Sequence, residues 1–296
     1  MIIDIHTHLA NHKIFSDGFL QGVAETFFPA NSTNPAMVKK IVLSSLKDET
    51  CTKFIKQMDD ANIDKSVLLI ADYGYSMGEA EYSIEEIHDL HHNLIREYPK
   101  LFEVFGGVDP RRGQVGYDLF EKSIKEYGFK GLKLYPPCGF ELSDKEVYPL
   151  YEMCNELSLP VLTHTGPALN TMRTEQKYPG SVQKVAKEFP NIKFILGHGG
   201  ARDYETSVRL AQECENIWFD ISAFQNYIED LDDTKKRFRM FFDKVPDKVL
   251  FGSDWPMFSI RGPQNKWVNF MYDLNVLTED ELDKLFYRNA HTVLYE

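Results

Sequence analysis

Two histidines one residue apart stand near the start of the chain, in Asp4-Ile5-His6-Thr7-His8. In an extended strand residues i and i+2 face the same side, so the two imidazoles would project together as a chelating pair. Three further residues of metal-ligand type follow: His164 in Thr163-His164-Thr165-Gly166, His198 in Gly197-His198-Gly199-Gly200, and Asp254 in Gly252-Ser253-Asp254-Trp255-Pro256. Each closes a short apolar run. Taken singly, each is an ordinary buried polar residue. Their joint placement at the ends of different strands points to a metal site. His6, His8, His164 and Asp254 offer three nitrogens and an oxygen with room for water. That set suits one divalent cation, zinc first, with manganese, iron or cobalt tolerated. Such an ion lowers the pKa of bound water towards about 7, and a neighbouring carboxylate can take the proton.

The elements that must position these residues are short and regularly spaced. Apolar runs at 2–6, 66–71, 104–108, 131–135, 160–164, 193–196, 217–221 and 249–251 predict eight strands. Helical spacing fills the gaps, as in Ile84, Ile87, Leu94 and Ile95, or Tyr117, Phe120 and Ile124. Continuous apolar strands alternating with helices indicate a parallel sheet. Eight such units predict one (β/α)8 TIM barrel over residues 1–296, with its site at the C-terminal ends of the strands. An open doubly wound sheet would want a glycine-rich phosphate loop after an early strand, and His6-Thr7-His8 stands there instead. Residues 9 to about 45, punctuated by Gly, Pro, Asn and Ser, read as a long loop over the barrel mouth.

Strand alternation also orients the fourth strand. Leu132 and Leu134 suit packing against helices, which turns Gly131, Lys133 and Tyr135 inward. Lys133 and Tyr135 are then substrate-facing residues, and the bland alternative pairs Lys133 with a carboxylate such as Asp4 or Asp220. Arg173, after the fifth strand, is a further candidate for binding an anionic substrate, with a plain surface residue as the alternative. Cys138 lies near the mouth with no evident base to activate it and reads as an inert thiol. His88-Asp89-Leu90-His91-His92 approaches a zincin spacing but carries Asp in place of Glu, and it reads as the solvated face of an outer helix.

Composition narrows the function classes. Lys and Arg total 33 against 45 Asp and Glu, a net charge of −12 that argues against nucleic-acid or anionic-membrane partners. The four cysteines form no C-x-x-C pair, and the first residues lack the pattern of a signal peptide. The expectation is a cytoplasmic enzyme with a small-molecule substrate, and a homo-oligomer is compatible with the 13% aromatic content.

The chain resembles the amidohydrolase superfamily, in its amidohydrolase-related branch of TIM-barrel hydrolases and decarboxylases. The resemblance runs nearly end to end: Asp4-Ile5-His6-Thr7-His8, Gly131-Leu132-Lys133-Leu134-Tyr135-Pro136, His164-Thr165-Gly166, Leu196-Gly197-His198-Gly199-Gly200, Phe251-Gly252-Ser253-Asp254-Trp255-Pro256 and Asn289-Ala290. It implies that His6, His8, His164 and Asp254 bind the metal and that Asp254 and His198 are catalytic. Asp254 would take the proton of the water, and His198 would polarise the substrate or orient that water. It leaves two roles for Lys133, a carboxylated bridge between two metals or a base for a substrate carboxylate, of which the second is preferred. The implied activity is hydrolysis of an ester, lactone or amide of a small acidic molecule. A decarboxylase on the same site is the alternative, and a non-catalytic metal-binding protein is the remaining one.

Overall fold

The computed structural model describes residues 1–27, 35–169, 172 and 181–296. Eight strands form: β1 (Ile3–Thr7), β2 (Lys65–Leu69), β3 (Phe102–Gly107), β4 (Gly131–Leu134), β5 (Val161–His164), β6 (Phe194–Gly197), β7 (Ile217–Asp220) and β8 (Val249–Leu250). They pair in parallel in sequence order. The ring closes between β8 and β1. There Ile5 N–H donates to Phe251 O (3.0 Å), Asp254 N–H to His6 O (2.8 Å) and His8 N–H to Trp255 O (2.7 Å). All eight predicted runs are strands, displaced by a residue or two at their ends, and the fold is a (β/α)8 barrel.

Burial on both faces explains why the strands read as continuous apolar runs. One face, including Leu132, Leu134, Val161, Phe194 and Phe219, joins the large core shared with the helices. The other forms a separate cluster of Val67, Leu69, Phe105, Leu162, Ile195, Trp218 and Leu250, with Ala290 and Val293 of the final helix. Leu162 pairs with Lys133 on one side and with Ile195 on the other. Lys133 therefore stands in the row of this inner cluster, paired with Gly107 and Leu162.

Two sequence expectations are corrected. The segment 9–45 contains two helices, α1 (Asp17–Phe27) and α2 (Pro35–Ser45). Phe19, Leu20 and Val23 of α1 are buried, but Gly18 and Gly22 interrupt the run and hide its period. Residues 28–34 lie outside the described residues. The helix Ile84–Glu97 begins on a capping box, with Ser83 Oγ accepting from Glu86 N–H and Glu86 Oε2 accepting from Ser83 N–H. Its histidines are not a solvated face. His88 and His91 are fully buried beside Ile87 and Leu94, on the stripe that faces the barrel.

Candidate metal centre

His6 and His8 leave β1 and enter the cavity formed by the C-terminal strand ends. Small residues make room for them: a Cβ on Gly252 would stand 3.0 Å from His6 Cβ, and one on Gly197 would stand 3.2 Å from His6 Cε1. His6 Nδ1 donates to Asp220 Oδ2 (2.8 Å), and His8 Nδ1 donates to Leu69 O (2.9 Å). These bonds fix both rings and turn both Nε2 atoms towards Asp254. Asp254 Oδ1 lies 3.9 Å from His6 Nε2 and 3.3 Å from His8 Nε2. Burial, with the cation of Lys133 next, holds the pKa of His6 well below its ordinary value. Its Nε2 is accordingly a lone pair.

His6, His8 and Asp254 form one compact group of metal-ligand type, and His6, His198 and Asp220 form another. The first fits a cation better. Asp220 already accepts from His6 Nδ1, His198 N–H (3.0 Å), Ser222 N–H (2.9 Å) and Ser222 Oγ. It is a carboxylate that orients a histidine through the nitrogen facing away from the centre. His164 lines the same cavity but stands outside both groups.

His164 instead continues a hydrogen-bonded chain. Asp220 accepts from Ser222 Oγ, so that hydroxyl must accept from His198 Nδ1 (2.8 Å). His198 Nε2 is then an acceptor, served by His164 Nδ1 (3.1 Å). Burial lowers the pKa of His198 well below normal and that of His164 to about 3, which keeps both rings neutral. The remaining lone pair, on His164 Nε2, faces the carbonyl of Pro167 at 3.4 Å. Two acceptors facing each other fit a cation or a donor between or beside them. Through its own ring His164 is also tilted against Tyr135, at 4.4 Å between centroids.

Lys133 is buried in the cavity wall with Nζ 3.4 Å from His6 Nε2. It makes no ion pair among the described residues. Burial brings its pKa down to about 8, opposed by the more distant charges of Asp220 and Asp254. Its pairing with Asp4 is excluded by the hydrogen bonds of that residue. Asp4 is fully buried and accepts from Ser253 N–H (3.0 Å), Gln264 Nε2 (3.1 Å) and His6 N–H (3.2 Å), and burial raises it to about 7. Asp4 thus joins β1 to the loop after β8, which carries Asp254.

The backbone at this end of the barrel is unusual. His198 (φ 64°), Ala201 (φ 51°), Ala223 (φ 67°) and Asp254 (φ 52°) adopt left-handed conformations in the loops after β6, β7 and β8. Each costs on the order of 1 kcal/mol or more, and such residues gather at functional sites. The cavity itself has a volume of about 280 Å³. Tyr135 lies in its wall, and so do Tyr73, Phe19 and Val23, which sequence reasoning missed. Asp220, named there only as an alternative partner of Lys133, was missed as a support of the centre, although it ends β7 as Asp254 follows β8. Cys138 is buried, its Sγ 3.5 Å from Asp72 O, and its pKa is raised by burial. Arg173 lies outside the described residues.

An eight-stranded barrel with histidines and carboxylates gathered at its C-terminal end defines a class of TIM-barrel enzymes. The family model described as Amidohydrolase matches residues 3–294, and the chain belongs to that family of metal-dependent enzymes. A 2-keto-4-carboxy-3-hexenedioate hydratase of a Sphingobium species is 30% identical over 132 residues, 36% of this chain. The match spans 39% of that relative's length. Among solved structures, the 4-oxalomesaconate hydratase of Rhodopseudomonas palustris superposes with a TM-score of 0.64 at 23% identity, covering 99% of this chain and 95% of that one. The dihydroxybenzoic acid decarboxylase of a Polaromonas species, with bound manganese and 2-nitroresorcinol, gives 0.70 at 16% identity, covering 99% and 96%. At these identities the two structures share the fold. No described helix is long and apolar enough to cross a membrane.

Proposed function

We propose that this chain is a metal-dependent hydrolase that attacks a carbonyl carbon of a small acidic molecule with water. The observation that carries the reading is the convergence of His6 Nε2, His8 Nε2 and Asp254 Oδ1, with the far nitrogens of both rings engaged elsewhere. Lone pairs and a carboxylate brought together in a buried cavity repel one another unless a cation lies among them. His6, His8 and Asp254 would hold one divalent ion, with His164 as a fourth donor. Zinc suits this donor set first, and the manganese of the decarboxylase neighbour extends the choice. Bound there, the ion supplies a Lewis acid and a water of lowered pKa.

The residues of the chain do the rest. Asp254 has two carboxylate oxygens, one for the ion and one to accept the proton of the attacking water. His198, held through Nδ1 by Ser222, orients the water by accepting from it at Nε2 in place of His164; as a neutral ring it has no N–H left to polarise a substrate oxygen. Lys133 offers an ammonium to a substrate carboxylate, and Tyr135 and Tyr73 bound the space for its carbon frame. Arg173 is a second anion-binding position in this reading.

A second reading keeps the water and changes the acceptor. The hydratase relative supports addition of water to the double bond of an unsaturated acid. The test is one panel run on metal-loaded protein: release of acid from lactones and esters, loss of enoate absorbance from unsaturated di- and tricarboxylates, and release of carbon dioxide from aromatic acids. Acid release supports the hydrolase. Enoate loss alone moves the assignment to a hydratase, and carbon dioxide alone to a decarboxylase. A full metal complement with no turnover on any arm overturns the enzymatic reading in favour of a metal-binding protein.

A further inference from the structure

The chain carries a surplus of acid, and six of its described arginines, Arg111, Arg112, Arg209, Arg237, Arg239 and Arg288, have a carboxylate partner within 4 Å. Arg261 does not, among the described residues. It stands on the short turn Ser259–Arg261 after β8, is exposed, and lines the cavity that holds His6, His8 and Asp254. Its orientation is set by a neutral partner: Nε donates to Asn226 Oδ1 at 2.9 Å. The next residue, Tyr227, performs a similar service for Arg202, whose guanidinium sits 5.3 Å from the ring centroid. Asn226 and Tyr227 both line the cavity. The loop after β7 thus holds two arginines, from the loops after β6 and β8, without neutralising either.

A guanidinium orients carboxylates through paired N–H donors. Holding one by Nε alone leaves the terminal nitrogens for such a pair. The same cavity has Lys133 at its depth. Two cations at different depths, in a space of about 280 Å³ bounded by Tyr73, Tyr135 and Phe258, match a small planar acid with two separated anionic ends.

We infer that Arg261, positioned by Asn226, binds a second carboxylate of the substrate, so that the site selects di- and tricarboxylates over monocarboxylates. Arg202, held over the ring of Tyr227, which lines the cavity, adds positive charge nearby. The inference rests on the acidic-substrate reading given above, but it concerns the rim and not the metal.

Rigid acids measure it directly. Affinities of benzoate, isophthalate and terephthalate are determined by calorimetry on zinc-loaded wild type, Arg261→Gln, Arg261→Lys and Asn226→Ala. At least one diacid is expected to bind wild type roughly ten- to a hundredfold more tightly than benzoate, the range for a charged hydrogen bond. Arg261→Gln should abolish that advantage and leave benzoate unchanged, with Arg261→Lys and Asn226→Ala in between. A wild type that does not distinguish the acids overturns the inference. So does an advantage that survives Arg261→Gln, or an equal loss for all three acids. The series is repeated on chelator-stripped protein. If the metal reading alone is wrong, stripping changes no affinity while the dependence on Arg261 persists.

Discussion

At the scale of single residues, the chemistry turns on which nitrogen of each histidine is free. Asp220 and Leu69 engage the Nδ1 atoms of His6 and His8, and Ser222 engages that of His198. From this follows a division of labour that elemental analysis can read. Protein purified without chelator should carry about one divalent ion per chain. His6→Asn should lose most of it. His198→Asn should keep most of it and lose turnover, and loss of metal as complete as in His6→Asn would make His198 a ligand. Lys133→Ala should leave the metal near one per chain while affinity for an anionic substrate falls by about 1.5–3 kcal/mol. Two ions in wild type, lost together in Lys133→Ala and dependent on bicarbonate, would establish a carboxylated bridging lysine instead.

At the scale of elements, the helix Ile84–Glu97 carries an unusual load. His88 and His91 each donate Nδ1–H to the carbonyl four residues back, at 2.8 and 2.7 Å. Their Nε2 atoms are buried and have no hydrogen-bond partner among the described residues. Burial lowers both pKa values to about 4, against about 6.5 in an unfolded chain. Between those values the unfolded chain takes up protons that the folded one refuses. Above about pH 6.5 both states keep the rings neutral and nothing is lost; as the pH falls from about 6.5 to about 4 each ring destabilises the fold, by at most about 3 kcal/mol. Thermal melting followed from pH 7 to 4.5 should therefore fall less steeply for His91→Leu than for wild type. Parallel curves would mean that His91 is charged or exposed in the folded chain. At pH 7 the same substitution should cost little, since it also removes a buried acceptor with no donor.

At the scale of the molecule, the proposed metal site and barrel closure meet at the same place. The seam between β8 and β1 is tied by three backbone hydrogen bonds at Ile5, His8 and Asp254, and by Asp4 beneath them. A cation held by His6, His8 and Asp254 would clamp both sides of that seam. A ligand that binds only the folded state stabilises it by about 2.7 kcal/mol at a hundred times its Kd. Zinc added to stripped wild type should raise Tm by several degrees, and Asp254→Asn should lose most of that rise. An equal rise in both proteins would move the metal to another site.

The sequence by itself determined the barrel and the residue types at its mouth. Eight apolar runs set the strand number, since each strand is buried on two faces, and His6, His8, His164, His198 and Asp254 end or follow those runs. It also determined that Lys133 lies on the inner face, because Leu132 and Leu134 need the helices. Tertiary structure decided what spacing does not encode. The pairing of His164 with His198, and the role of Asp220, depend on contacts across strands far apart in sequence. Tyr73, Phe19 and Arg261 reach the cavity only because loops of different strands converge over one opening. The burial of His88 and His91 was decided there too, since a helix's inner stripe is defined by what it packs against and a histidine suits water or a core equally well.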